Sequence, residues 1–328
     1  MTDASFHFQT LMPDLILDAI ESVGLRIDSG LTELNSYENR VYQFLDEDRQ
    51  RWVVKFYRPE RWSRAQILEE HEFSFELTAL EIPVVAPSLF NGGSLHSYQN
   101  FMFAIFPSMG GRQYEMDNEE QLEWVGRFLG RIHQVGLQRP FVKRPTMGLN
   151  EYLYEPREIL LQTELLPSSL RASFALALDS LIKTTQEYWR DDWLTCRLHG
   201  DCHPGNILWR DGPMFVDLDD ARMGPAVQDM WMLLHGSRRD QSVQLDILLD
   251  AYSEFSDFNA QELSLIEPLR SMRMVYYLAW VVRRWQDSAF PKSFPWMLET
   301  SFWEQQISVF TEQVKLLRAP PLQLTPMY

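Results

Sequence analysis

Residues 198–209 read Leu198-His199-Gly200-Asp201-Cys202-His203-Pro204-Gly205-Asn206-Ile207-Leu208-Trp209, and the chain runs on through Arg210-Asp211-Gly212-Pro213 and Met214-Phe215-Val216 to Asp217. An Asp followed five residues later by an Asn is a spacing that phosphoryl transfer uses. The Asp handles the acceptor hydroxyl proton and the Asn binds metal. The apolar triplets 207–209 and 214–216 flank an Asp-Gly turn, which is a hairpin pattern. A hairpin of this length returns the chain to its starting end and sets Asp217 beside Asn206. Two oxygen ligands meeting there, with phosphates supplying the rest, are what Mg2+ requires.

A transition-metal cluster is the competing reading of the same stretch. His199, Asp201 and His203, with Cys196 and Cys202 nearby, carry the ligand types of a metallohydrolase. That reading leaves Asn206 and the Asp-Gly hairpin without a role. The two histidines are expected to shape the tight loop by hydrogen bonding.

Working outward, the 328 residues suit about two domains. Hydrophobic residues make up 45% and charged residues 23%, the composition of an ordinary globular protein. The 30 basic against 46 acidic residues give a net charge of −16, which excludes a basic nucleic-acid footprint. Such a charge suits a neutral or cationic substrate, although solubility alone accounts for it. No Lys or Arg precedes Arg26, so the start lacks the basic region of a signal peptide. The apolar run from Met274 to Val282 is too short for membrane insertion. With two cysteines and no disulfide framework, a cytoplasmic protein is expected.

The first third reads as strand-rich. Val41-Tyr42-Gln43-Phe44-Leu45 and Trp52-Val53-Val54-Lys55-Phe56 are separated by a polar turn, and an acidic helix follows over about 63–80. Short strands come next around Asn91-Gly92-Gly93, closing with residues 101–106 and a stop at Pro107. After Pro107 the pattern turns helical, with Leu122, Val125, Gly126, Leu129 and His133 at helical spacing. Long helices are expected again from Val227 onward, after the strand-like interruption at 197–217. The fold class expected is therefore α+β. A β-rich part, 1–107, carries a nucleotide loop, the Lys strand and the acidic helix. An α-rich part, 108–328, carries the catalytic loop and the metal-binding hairpin.

Chemistry of this kind also needs a cation for the α- and β-phosphates and an acid to hold that cation. Lys55 is the only Lys in the first 142 residues and lies inside an apolar strand. On its own it reads as a strand Lys whose amine reaches solvent; with the downstream loop it is the phosphate-binding cation. Stepping round the acidic helix at 100° per residue puts Glu70 in the stripe of Ile67, Phe73, Ser74 and Leu77. Glu69, Glu72 and Glu76 fall on the wetter side, so Glu70 is chosen, with Glu69 in reserve. The loop before the first hairpin strand, Leu34-Asn35-Ser36-Tyr37-Glu38-Asn39-Arg40-Val41, contains no Gly, and Asn35, Ser36 and Asn39 are its candidate phosphate donors. Topology alone places the adenine contacts at Phe106 and Ser108. Asp229 is assigned a structural role, and packing is expected for both cysteines.

With these residues located, the chain resembles the protein-kinase-like fold in its aminoglycoside phosphotransferase and choline kinase branch. Within that branch it is similar, over nearly the whole length, to bacterial serine/threonine protein kinases of the stress-response type. The likeness runs from Leu31-Thr32-Glu33-Leu34-Asn35-Ser36-Tyr37-Glu38-Asn39 to Pro320-Pro321-Leu322-Gln323-Leu324-Thr325-Pro326-Met327-Tyr328, and residues 198–222 are its most specific part. The resemblance implies a two-lobed fold and a cytoplasmic enzyme using ATP and Mg2+, with protein Ser/Thr acceptors and a part in protection against envelope and oxidative stress. It implies Asp201 as catalytic acid/base, Asn206 and Asp217 as magnesium ligands, and Ser36 as an ATP contact. A monomer is expected, with no nucleic-acid partner. Asp217-Leu218-Asp219 stands where ordinary protein kinases have Asp-Phe-Gly, and no activation segment of familiar length is evident.

Three alternatives stay open at this point. One is a small-molecule kinase acting on an aminoglycoside, choline or a sugar. Another is a nucleotide-binding pseudokinase scaffold, against which the intact set of Lys55, Asp201, Asn206 and Asp217 argues. The last is a catalytic, nucleophilic Asp217 that forms an aspartyl-phosphate.

Overall fold

The computed structural model describes residues 8–190 and 192–324, so the final four residues of the stretch ending at Tyr328 lie outside it. Contacts divide the chain into two units. One comprises residues up to 115 with 141–144 and 203–221; the other comprises 116–140, 145–202 and 222 onward.

The first unit begins with helix α1 (Pro13–Glu21). Strands β1 (Thr32–Leu34), β2 (Arg40–Leu45), β3 (Arg51–Phe56), β4 (His96–Tyr98) and β5 (Phe101–Pro107) form an antiparallel sheet in the order β1-β2-β3-β5-β4. The hairpin read at 41–56 is the β2–β3 pair, in register from Arg40 opposite Phe56 to Leu45 opposite Arg51. Alternation gives the sheet two faces. Phe44, Val54, Phe56, Phe103 and Ile105 are buried with Ile16, Ala19 and Ile20 of α1. Lys55, between Val54 and Phe56, points to the opposite face, where its cross-strand partner Ala104 clusters with Ile67 of helix α2 (Arg64–Ala79).

The acidic helix starts where expected because Ser63 and Gln66 form a reciprocal capping box, a device worth about 1 kcal/mol. It buries Ile67, Glu70, Phe73, Ser74 and Leu77, the stripe read from the sequence, and also His71. A short strand β6 (Arg112–Gln113) follows. The later strands are β7 (Cys196–Leu198), β8 (Ile207–Trp209), β9 (Pro213–Phe215) and β10 (Arg222–Gly224). Strands β6, β8 and β9 form a three-stranded sheet of the first unit. The β8–β9 turn has positive φ at Asp211 (57°) and Gly212 (142°), as a tight Asp-Gly turn requires. Phe215 ties the hairpin to residues 83–85 through backbone bonds with Pro83 and Val85.

The second unit is helical: α3 (Glu119–Gly136), α4 (Glu155–Gln162), α5 (Arg171–Tyr188), α6 (Arg238–Tyr252), α7 (Ile266–Arg283), α8 (Ala289–Ser293) and α9 (Thr300–Arg318). Helix α3 packs on α6, and α5 packs on α9. Gly126, Gly130 and Gly136 set the α3 contacts; a Cβ at Gly126 would meet the Leu248 carbonyl oxygen at 2.5 Å. A Cβ at Gly130 would meet the Tyr252 carbonyl oxygen at 2.6 Å, and one at Gly136 would collide with the Arg197 carbonyl oxygen. The close approach at Gly136 lets β7 lie directly on α3. The chain after Val227 does not enter a long helix at once. Short 3-10 turns occupy Ala226–Asp229 and Trp231–Leu233, bounded by Pro225 and by Gly236 at φ 80°. Among the described residues no helix is long and apolar enough to cross a membrane.

Candidate active site

In the first unit, Lys55 Nζ donates to Asp217 Oδ1 at 2.7 Å and lies 3.7 Å from Asp219 Oδ1. Burial pushes the ammonium toward neutrality, but Asp217, Asp219 and Glu70 together outweigh it and raise its pKa. The strand supplies rigidity and the carboxylates supply charge, so Lys55 is a fixed cation rather than one reaching for solvent.

Asp217 follows β9. Val216 N donates to the Asn206 carbonyl oxygen at 3.0 Å, so the hairpin does bring Asp217 back to the level of Asn206. Asp217 has φ 61° and ψ 64°, a left-handed conformation that Asp tolerates better than most residues, and half of its side chain is exposed. Such strain is commonest where a side chain must be aimed.

Asp219 is a partner of Lys55 that the sequence reading did not select. Its Oδ2 accepts from Arg61 Nη1 at 2.6 Å and from Asn39 Nδ2 at 3.1 Å. Burial alone would raise its pKa, but Lys55, Arg61 and Arg144 hold it below the usual carboxylate range. Arg144 is itself buried, stacks 4.4 Å over Trp62, and donates to the carbonyl oxygens of Asp219 and Ala221. Asn39 Oδ1 accepts from Arg58 N. Asn39, a candidate phosphate donor in the sequence, is therefore committed to bracing the loop after Asp217. Nothing periodic marks Arg61 or Arg144 in the sequence. The alternation Asp217-Leu218-Asp219 was the one visible signal.

Glu70 and Glu69 separate as the helical phase requires. Glu70 is buried; its Oε1 accepts from Ser74 Oγ at 3.1 Å, and its Oε2 has no hydrogen-bond partner. Its approach to His71 at 3.7 Å is not an ion pair, because burial pushes that imidazole down to about 3. Glu69 instead accepts backbone N–H groups from Val142, Lys143 and Arg144 at 2.5–2.8 Å, a structural staple. Burial raises the Glu70 pKa, while Arg144 and Lys55 oppose the rise. The native state thus holds that proton to higher pH than the unfolded chain, and stability falls as pH rises through the window. Glu70→Gln is expected to lower turnover by about 10-fold by removing a charge that acts on Lys55 through space, with no loss of melting temperature at neutral pH. Steady-state kinetics and thermal melts check both halves. A large fall in melting temperature with unchanged turnover would contradict the assignment.

Ser36 lies in the glycine-free bend between β1 and β2 and accepts from Asn39 N at 3.3 Å. Phe106 is on β5 with its ring 5.7 Å from Lys55 Nζ, and Ser108 Oγ accepts from Gln43 Nε2.

In the second unit, the backbone N–H groups of His199 and Gly200, just before Asp201, are held by one carboxylate. Asp229, fully buried, accepts from His199 N at 2.7 Å and from Gly200 N at 2.8 Å, and pairs with His133 Nε2 at 3.1 Å. That fulfils the structural role expected of Asp229 and adds His133, which its helical spacing alone presents as a core residue. Asp201 leaves this braced segment, and its Oδ1 accepts from Arg273 Nη1 at 2.5 Å.

The histidines shape the loop. His199 Nδ1 accepts from Asp201 N, and in the first unit His203 Nδ1 accepts from Gly205 N. Among the described residues no group of three or more His, Cys, Asp or Glu is placed to hold a metal ion. Both cysteines are buried, and burial pushes their thiols well above the ordinary range, so they pack as small apolar groups.

A phosphotransferase enzyme family model matches residues 30–265. The chain belongs to that family. Stress response kinase A of Escherichia coli (strain K12) is 61% identical over 328 residues, the whole of both chains. Serine/threonine protein kinase RdoA of Salmonella typhimurium (strain LT2) is 60% identical over the same span. The resemblance read from the catalytic loop agrees with both, and this member of the phosphotransferase family is a kinase. Solved structures confirm the α+β, protein-kinase-like fold. An amicoumacin kinase in complex with AMP-PNP and Ca2+ superposes with TM-score 0.73 at 17% identity over 95% of each chain. A spectinomycin phosphotransferase in complex with ADP gives 0.60 at 14% identity over 94% of each.

Proposed function

We propose that this phosphotransferase is a cytoplasmic, monomeric serine/threonine protein kinase that moves the γ-phosphoryl group of ATP to protein hydroxyls and serves in protection against envelope and oxidative stress. Full-length identity of 60–61% with a stress response kinase A and a serine/threonine protein kinase supports the acceptor class. The buried Lys55 paired with a half-exposed Asp217 supports the chemistry.

The donor set fits Mg2+. Asn206 and Asp217 offer hard oxygen ligands, and the Val216–Asn206 backbone bond joins the segments that carry them. When bound, the metal supplies charge neutralisation on the β- and γ-phosphates. The remaining roles belong to the chain. Lys55 binds the α- and β-phosphates; Asp217 and Asp219, not the Glu70 read from the helix, make its ion pairs, and Glu70 adds only the field of its charge. Ser36 contacts ATP from the bend, and Phe106 and Ser108 adjoin the adenine. Asp201 orients the acceptor hydroxyl and takes its proton. Catalysis is then mainly positioning and charge stabilisation.

Incubation with Mg·ATP and either casein or a panel of aminoglycosides, choline and sugars tests the acceptor class. Label on casein Ser or Thr is expected. Label on a small molecule alone would overturn the protein acceptor. Nucleotide binding without transfer would make the chain a scaffold, and label retained on Asp217 and released by hydroxylamine would make it an aspartyl-phosphate enzyme.

A further inference from the structure

The ion pair between Arg273 and Asp201 has no part in the roles assigned so far. Arg273 projects from α7, which is firmly held. Its Leu269, Met272, Val275, Leu278 and Ala279 are buried, the Tyr276 ring packs tilted against Tyr152 with centroids 4.9 Å apart, and Gln313 of α9 donates to the Glu267 carbonyl oxygen. Nη1 of Arg273 meets Asp201 Oδ1 at 2.5 Å, a short, charge-assisted hydrogen bond.

Two independent supports therefore converge on Asp201. Asp229 fixes the backbone of residues 199 and 200 that leads into it, and Arg273 fixes its side chain. Holding Oδ1 sets the rotation of the carboxylate about its Cβ–Cγ bond, and so the direction in which the group accepts a proton. The Arg273 side chain is 42% exposed, and ion pairs that wet contribute little to stability. Its consequence lies in geometry, where small errors in a reacting group are costly.

We infer that Arg273 is a positioning residue for phosphoryl transfer, acting through Asp201. The inference rests on Asp201 being the acid/base of the proposed kinase. In the step concerned, the acceptor oxygen forms its bond to the γ-phosphorus and the bond to the β,γ-bridging oxygen breaks. That bond's electron pair leaves with ADP, and the acceptor proton passes to Asp201. Arg273 takes no atom in this exchange. It holds the receiving carboxylate in line.

The test uses the full chain with Mg·ATP and casein, comparing wild type, Arg273→Gln, Arg273→Lys, Asp201→Asn and the double variant Asp201→Asn/Arg273→Gln. Arg273→Gln is expected to lower kcat by about 10–100-fold, the usual effect of losing a group that orients a reacting residue. The KM for ATP and the melting temperature should stay unchanged. Arg273→Lys should recover most of kcat, and the double variant should be no slower than Asp201→Asn alone. Wild-type kcat in Arg273→Gln, with Asp201→Asn inactive, would overturn the inference and leave the acid/base reading standing. Multiplying losses in the double variant would also overturn it, because Arg273 would then act on phosphate or acceptor by itself. A fall in melting temperature that tracks the fall in kcat would reduce Arg273 to a structural residue. Activity in Asp201→Asn would remove the acid/base reading and this inference together.

Discussion

Asp201→Ala should bind Mg·ATP as wild type does and transfer phosphoryl groups about 10²–10⁴-fold more slowly, the usual worth of a positioned acid/base. That loss corresponds to about 3–5 kcal/mol of barrier. Binding should survive because the segment's shape does not depend on Asp201. The backbone of His199 and Gly200 hangs on Asp229, and His203 secures Gly205 through its own ring. The Asp201 side chain is only partly buried, so its removal leaves no large cavity. Isothermal titration with a non-hydrolysable ATP analogue, beside single-turnover transfer to casein, separates the two quantities. Near-wild-type transfer would remove Asp201 from the chemistry, and lost nucleotide binding would show that the segment had collapsed.

Lys55→Met should raise the ATP requirement and sharply lower turnover, and it should also weaken the fold. Removing one partner of a buried ion pair leaves the other uncompensated. Asp219, however, keeps Arg61 at 2.6 Å and Asn39 at 3.1 Å, and Asp217 is half in solvent. A loss of roughly 1–3 kcal/mol, below the range for breaking an isolated buried pair, is expected.

The pH dependence gives this account a sign. The Asp219 pKa lies below the usual carboxylate range in the folded chain, with Lys55 the foremost of the cations that hold it there against burial. Its stabilisation is present above the unfolded carboxylate pKa and is lost as pH falls through the folded value. Lys55 also opposes the raised pKa of Glu70, which acts in the same direction. The melting-temperature gap between wild type and Lys55→Met should therefore be widest near neutral pH and shrink on acidification toward pH 4. A gap of constant size would mean that Met fits the strand poorly and that charge is not the cause.

Local regularities carried much of this protein's organisation in plain view. The β2–β3 hairpin follows from alternation, and α2 follows from a Ser63–Gln66 box opening a periodic stripe. The Asp-Gly turn dictates a β8–β9 pairing whose length returns Asp217 to Asn206. Each depends on neighbours within about twenty residues, where backbone sterics and hydrophobic periodicity act directly. The same periodicity told Glu70 from Glu69. It could not say that Glu69 would staple residues 142–144, because that contact joins positions more than seventy apart.

By itself, the sequence determined the fold class and the absence of a glycine-rich loop, and it picked out Lys55, Asp201, Asn206 and Asp217, the set proposed here for the chemistry. Tertiary structure alone decided what holds that set in place. Arg61, Arg144 and Asn39 gather from three separate stretches around Asp219 in the loop after Asp217, and His133 meets Asp229 across 96 residues. Arg273 meets Asp201 across 72 residues. The physical reason is one of range. A charged or polar side chain leaves no periodic trace of its partner, since the pairing arises only once burial has removed water and made an uncompensated charge too costly to leave alone.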